Sequence, residues 1–284
     1  MDRRTRILAA AQRHGRVTVE GLAEALGVSA HTIRRDLAAL CEAAKLRRLH
    51  GGAEYIEGGA NLPYEARSAL NLGPKRAIAA AAARLVPDGA TVFLSVGTTP
   101  AMVAEALAGR EGLVAVTNNL NAALALAANP SHRIILPGGE LRLPDRDLLG
   151  PAALELIAGY RADLAIYGVG GVDADGSLLD FHADEVAARQ AMRANSRRTI
   201  LVADRSKFGR RAAAVGGRLE EADHVVIDAR PGPEHAGLLA PLGDRLLVAA
   251  EIEARLQDGA PRDRSAATGA EAPARMTART GACA

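Results

Sequence analysis

The chain has 284 residues, 49% hydrophobic and 24% charged, with 35 Lys and Arg against 33 Asp and Glu. That suits one large or two ordinary domains of a soluble protein. An aromatic content of 2% with no Trp leaves the core to Ala, Val, Leu and Ile, and argues against reading single strands by base stacking. Cys41 and Cys283 give no disulfide framework and favour a reducing compartment. Met1 to Arg6 lack an apolar run, and no stretch approaches the roughly 20 residues of a membrane span. The expected location is therefore the cytoplasm.

Charge is uneven along the chain. Residues 1–55 hold ten Lys and Arg against six Asp and Glu, an excess suited to a phosphate backbone. Ile7, Leu8 and Ala11 set an apolar stripe on a first helix, with Asp2 available as its cap. Val17-Thr18-Val19 predicts a short strand. Leu22, Ala23 and Leu26 mark a second helix closed at Gly27 by a left-handed residue. Gly21 inside that helix costs about 1 kcal/mol relative to Ala, so its packing must compensate. Ser29 then caps a third helix. Two helices parted by Gly27-Val28-Ser29 make a helix-turn-helix, from about Glu20 to Ala43.

In the third helix Ile33, Leu37 and Leu40 share one face, so His31, Arg35 and Ala38 point outward. Side chains early in such a helix reach base edges in a major groove. Arg35 is the expected bidentate partner of a guanine and His31 a second reader. Thr32 and Arg34, on the flanks, suit phosphates, which fix register without reading sequence. Leu46 to His50, Gly51-Gly52 and Ala53 to Glu57 then read as strand, turn and strand, a hairpin wing. Arg47, Arg48 and His50 would bring it to the backbone or a minor groove. An isolated Arg-Arg pair is more often a solvated helix face. Here it stands opposite a core stripe, after a capped three-residue turn and before a basic wing.

These residues resemble a known family. Val17-Thr18-Val19, Leu22-Ala23, Leu26-Gly27-Val28-Ser29, Thr32-Ile33-Arg34-Arg35-Asp36-Leu37 and His50-Gly51-Gly52-Ala53 look like the signature of DeoR-type bacterial transcriptional regulators. Cys41-Glu42-Ala43-Ala44-Lys45 departs from the family, which more often has a glycine between helix and wing.

Beyond Gly58-Gly59-Ala60-Asn61-Leu62-Pro63, which reads as a hinge, short β-branched runs alternate with Ala-rich helical runs. Strands are expected at Thr91–Leu94, Leu113–Val116, Arg133–Leu136, Ala162–Tyr167, Thr199–Val202 and His224–Ile227. Helices are expected between them, for instance at Ala77–Leu85, Ala101–Leu107 and Ala183–Asn195. That alternation predicts a mainly parallel sheet buried on both faces. Ligands of open parallel sheets bind beyond the carboxyl ends of the strands. Polar loops follow five of these strands: Ser95 to Pro100, Thr117-Asn118-Asn119, Pro137-Gly138-Gly139-Glu140, Gly168 to Asp173, and Asp204 to Lys207. In the first, Thr99 can cap a helix with Pro100 at its first position. The helix N-terminus, Gly97 and the Thr98 and Thr99 hydroxyls suit a phosphate, with Lys207 as countercharge.

The resemblance extends from about Glu65 to Asp228, through Lys75, Gly97-Thr98-Thr99, Thr117-Asn118, Gly138-Gly139, Gly150, Glu185, and Asp204, Ser206, Lys207, Phe208 and Gly209. It implies a sensor domain similar in fold to sugar-phosphate isomerases, binding a phosphorylated sugar or polyol. Ser95 departs from the Asp that family members often carry there. Gly168-Val169-Gly170-Gly171 lacks the third glycine of a dinucleotide fingerprint. Asp173-Ala174-Asp175-Gly176 lacks the last ligand of a calcium loop and reads as a tight turn. The seven histidines are scattered, without zinc spacing.

The expected organisation is a winged helix-turn-helix at 1–57, a hinge and connecting helix at 58–73, an α/β effector-binding and oligomerisation domain at 74–255, and a disordered tail at 256–284. The expected function is an operator-binding regulator, a repressor of a sugar or polyol catabolic operon, released by a phosphorylated sugar. Its DNA-binding residues are Ser29, His31, Thr32, Arg34, Arg35, Arg47, Arg48 and His50. Its effector-binding residues are Ser95, Gly97, Thr98, Thr99, Thr117, Asn118, Gly138, Gly139, Asp173, Glu185, Asp204 and Lys207. A homo-oligomer, dimer or tetramer, is expected, with no metal, cofactor, catalytic residue or membrane partner. The alternative is an active sugar-phosphate isomerase carrying a DNA-binding appendage, with Glu185, Asp173 and Lys207 as acid and base groups.

Overall fold

The computed structural model describes residues 3–14, 16–42, 46–55 and 64–257, the side chains of 12, 13, 42, 253 and 255–257 excepted. The expected cap Asp2, the hinge Gly58–Pro63, Ala43 to Lys45 and residues 258–284 lie outside that set.

The N-terminal unit runs α1 (Arg3–His14), β1 (Arg16–Thr18), α2 (Val19–Leu26), α3 (Ala30–Glu42), β2 (Leu46–Leu49) and β3 (Gly52–Tyr55). Ile7, Ala11, Leu22, Ile33, Leu37 and Leu40 are all buried in one core, as their helical spacing predicts. The strands form a small antiparallel sheet, with β3 between β1 and β2. Val19 belongs to α2 and not to β1, a correction with a local cause. Thr18 Oγ1 accepts from Gly21 N at 3.1 Å, so the chain turns into a helix one residue earlier. The same contact answers the cost of Gly21. A Cβ there would lie 2.9 Å from Thr18 Oγ1, so Ala would displace the cap. Gly27 closes α2 with φ 65°. Ser29 Oγ accepts from Thr32 N at 3.2 Å, capping α3.

The second unit begins with α4 (Tyr64–Ala69) and α5 (Leu72–Ala83), then β4 (Thr91–Leu94), α6 (Thr98–Leu107), β5 (Val114–Thr117), α7 (Leu120–Leu126) and β6 (Arg133–Ile135). A hairpin of β7 (Leu141–Arg142) and β8 (Asp147–Leu148) precedes α8 (Pro151–Ala158) and β9 (Ala162–Tyr167). Next come β10 (Gly171–Val172), β11 (Ser177–Asp180), α9 (Ala183–Ala194), β12 (Ser196–Val202) and β13 (Ala214–Arg218). The unit ends with β14 (His224–Ile227), the single turn α10 (Ala236–Leu239), β15 (Leu246–Val248) and α11 (Ala249–Gln257).

Seven strands form a parallel sheet in the order β15-β14-β12-β9-β4-β5-β6. Six are those expected from the apolar runs; β15 is additional. Alternate residues supply the two faces. Val92, Leu94 and Ile166 meet α5, α6, α7 and α11, while Phe93, Val116 and Ala165 meet α8 and α9. Strands β10, β11 and β13 form a separate antiparallel sheet. Its first hairpin turns at Asp173–Gly176, where Gly176 N donates to Asp173 O at 3.0 Å. The expected boundary at 255 falls inside α11, which runs to Gln257.

Candidate functional site

Two surfaces carry the candidate chemistry. On the first, His31, Arg34 and Arg35 are exposed on α3 while Ile33 and Leu37 anchor its other side. Thr32 is half-buried, and its hydroxyl lies 2.9 Å from that of Ser29. On the wing, Arg48 and His50 are exposed, but Arg47 is tied to Glu54, which also accepts from Arg16 at 2.9 Å. Those two guanidiniums hold the Glu54 carboxyl below its usual range. Asp36, one residue past Arg35, is buried and held by Arg3 and by Arg4, the latter at 3.2 Å. Its bond to Arg3 lowers its pKa, against burial. This pairing pins α3 to α1 and keeps the carboxylate's charge compensated beside the exposed Arg34 and Arg35.

The second surface is a cleft at the carboxyl ends of β4, β9 and β12. Among its lining residues are Ser95, Gly97, Thr98, Thr99, Glu185 and Lys207. The helix of this loop starts earlier than expected. Gly97, with φ 118°, is the residue before α6, and Thr98 and Thr99 are its first turn. Asn119 causes this, because its side-chain amide donates to Ser95 O at 3.1 Å and Gly97 O at 3.0 Å. The loop is thereby folded back before Thr99 can cap it, and Pro100 falls at the third helical position.

Three of the five expected loops meet here. Thr117 sits beneath the cleft, its hydroxyl donating to Leu94 O at 2.6 Å. Neither it nor Asn118 lines the cavity, although the Asn118 amide is buried and finds no partner among the described residues. Gly138 and Gly139 follow the edge strand β6 and stay outside. Asp173 is exposed in the β10–β11 turn, away from the cleft. Asp204 stands behind Lys207, accepting from Ser206 N at 3.0 Å and from the Asn71 amide at 3.1 Å.

Ion pairs that the sequence did not reveal close the walls. Arg67 of α4 bonds Asp145 of the β7–β8 hairpin. Arg142 grips Asp147 through two bonds of 2.8 and 2.7 Å and reaches Glu185 at 2.9 Å. Arg189, fully buried, bonds Asp180 at 2.6 Å, and Asp180 accepts from Gly170 N at 2.8 Å. That pair fixes the loop after β9. Ligand atoms of Asp145, His182 and Glu185 lie within 4.8 Å of one another, a spacing open to a metal ion, but Arg67 and Arg142 already compensate the two carboxylates.

The titratable groups are unevenly perturbed. Burial pushes Lys207 down to about 7, helped by Arg210 and opposed by Asp204. Burial likewise brings Lys75 to about 8, against the attraction of Asp204. Burial raises Glu185, with Arg142 opposing. A lysine this poorly solvated gains most from an incoming anion, which restores its charged form.

A capped two-helix reader with a basic wing, followed by a parallel α/β unit with a polar cleft, defines a DNA-binding transcriptional regulator with a sensor domain. Residues 3–58 match the DeoR-like helix-turn-helix domain and residues 70–229 the DeoR C-terminal sensor domain. The chain belongs to the DeoR family. It is 43% identical over 230 residues to a glycerol-3-phosphate regulon repressor of Escherichia coli, covering 81% of this chain and 91% of that one. The transcriptional repressor CsqR of the same organism is 35% identical, covering 81% and 88%. The transcriptional repressor AccR of Agrobacterium fabrum is 33% identical, covering 80% and 89%. A ribose 5-phosphate isomerase from Methanocaldococcus jannaschii aligns at a TM-score of 0.37 and 17% identity, over 49% of this chain and 55% of that one. Among the described residues no helix is long and apolar enough to cross a membrane.

Proposed function

We propose that the chain is a cytoplasmic repressor, released from its operator when a small phosphorylated polyol or sugar enters the cleft. The carrying observation is the meeting of a helix N-terminus, two threonine hydroxyls and the depressed Lys207 in one cavity, the donor set a phosphate needs. Thr98, Thr99, Gly97 and Lys207 take the phosphate. Glu185, Asp180 and Ser95 are the acceptors available to hydroxyls. The relatives named as repressors support the sign of regulation, and the relative named for the glycerol-3-phosphate regulon makes that compound the first to test.

Arg35 and His31 read bases, Ser29, Thr32 and Arg34 set the register of the reading helix, and Arg48 and His50 carry the wing contact. Coupling follows from position. Arg67 lines the cleft from α4, the first described element after the DNA-binding unit, and Lys75 holds its carbonyl. A coupling of about 1–3 kcal/mol would weaken operator binding about 5- to 150-fold. A homo-oligomer is part of this reading, supported by exposed Leu136 just past the edge strand β6 and exposed Leu143 in the β7–β8 hairpin. Turnover is not part of it, a reading supported by the relatives named as transcriptional repressors. A thermal-shift panel of sugar and polyol phosphates tests the sensor. A rise in Tm with one of them, together with loss of bound operator, is the expected result; no shift with any would refute it.

A further inference from the structure

The wing and the reading helix do not present their cations independently. A notch of about 190 Å³ opens between α2, α3 and the β2–β3 turn, its walls including Val19, Arg34, Leu37, Arg48 and His50. Strand alternation explains why Arg48 enters it. Arg48 shares a sheet face with Leu46, which is fully buried in the core beside α3, whereas Arg47 points the other way and is occupied by Glu54. Among the described residues neither Arg34 nor Arg48 meets a carboxylate.

The turn that shapes the notch is held rigidly. Val19 N donates to Gly51 O at 2.8 Å. Gly52 pairs with Thr18 so closely that a Cβ on it would lie 2.1 Å from Val17 O. The wing tip therefore stays against the start of α2 and cannot swing off to a separate groove without breaking these contacts.

We infer that this notch seats a single backbone phosphate of duplex DNA, gripped from one side by Arg34 and from the other by Arg48, with His50 alongside. The inference rests on the proposed DNA-binding role of this unit and sharpens it: helix and wing straddle one phosphodiester. A tetrahedral anion suits the space, and two guanidinium forks converging on it form charge-assisted bonds that need no base edge.

The test is the salt dependence of binding by the full chain to a random-sequence duplex of roughly 30 base pairs, because each neutralised phosphate adds about 0.9 to the slope of log K against log salt. Arg34→Ala with Arg48→Ala combined should lower the slope by about 0.9, equivalent to about 3.5-fold over a fourfold salt range, and each single change by less. A fall of about 1.8 in the double variant, or none, would overturn the shared contact. Arg34→Lys with Arg48→Lys keeps both charges and should restore the slope at unchanged Tm. A double variant whose Tm falls and whose slope the lysine pair fails to restore also counts against it. Failure of the unaltered chain to bind any duplex would instead sink the DNA-binding role itself.

Discussion

If Lys207 holds the effector's phosphate as proposed, effector affinity should fall as pH rises through neutrality. In the free protein its pKa is about 7, lowered by burial and Arg210 and raised by Asp204; Arg67 and Lys75 also face it. A bound phosphate holds the ammonium charged, so binding takes up a proton wherever the free lysine is neutral. The protonated fraction drops from about 0.9 at about pH 6 to about 0.1 at about pH 8, a loss of about tenfold in affinity. The ligand works the other way. A phosphate monoester with a second pKa of about 6 doubles its dianion fraction over that interval, about a twofold gain. The net expectation is about fivefold weaker binding at the higher pH.

Calorimetry with glycerol 3-phosphate, in buffers of different ionisation enthalpy, measures both the affinity and the proton uptake. Lys207→Met should bind more weakly throughout, take up no proton from this residue and retain only the twofold gain. If the unaltered chain shows that gain alone, Lys207 does not hold the phosphate. The same residue carries a stability signature. Its folded pKa lies below its ordinary 10.5, so from about pH 7 to 10.5 the unfolded chain holds more protons and unliganded stability rises with pH. Lys75 adds to this in the upper part of that window, from about 8. Lys207→Met should therefore raise the unliganded Tm at about pH 7 while weakening the response to effector, a trade of stability for function.

Arg35→Ala should reduce the preference for operator over random duplex by about 1–3 kcal/mol while leaving the salt slope nearly unchanged, as read by competition binding. Gly52→Ala should cost about 1–3 kcal/mol or more by overpacking against the Val17 carbonyl, seen as a fall in Tm of the N-terminal unit. Asp180→Ala leaves the buried Arg189 guanidinium without its carboxylate and should cost about 3–5 kcal/mol in denaturant unfolding. Gly21→Ala, a change that ordinarily stabilises a helix by about 1 kcal/mol, should give no gain because the Cβ displaces the Thr18 cap.

The features legible in the sequence are those written in short-range patterns. Ile33, Leu37 and Leu40 oriented the third helix, Ser29 marked its start, Gly27 marked the end of the helix before it, and continuous apolar runs located six of the seven parallel strands. Strand β15 escaped because Leu246–Val248 runs straight into α11 with no turn residue to mark its end, and its strand character comes from pairing with β14. The cleft was legible where a loop directly follows a strand. It was illegible where charge compensation acts at long range: Arg67 meets Asp145 78 residues away, and Arg142 meets Glu185 43 residues away. No periodicity links such pairs, so nothing in the sequence singled out Asp145 and Asp147. Their burial changes what the cleft is. With Arg67 and Arg142 committed to carboxylates, the poorly solvated ammonium of Lys207 is left in the cleft as a cation whose charge an anionic ligand can restore, and the proposed response to effector turns on that group.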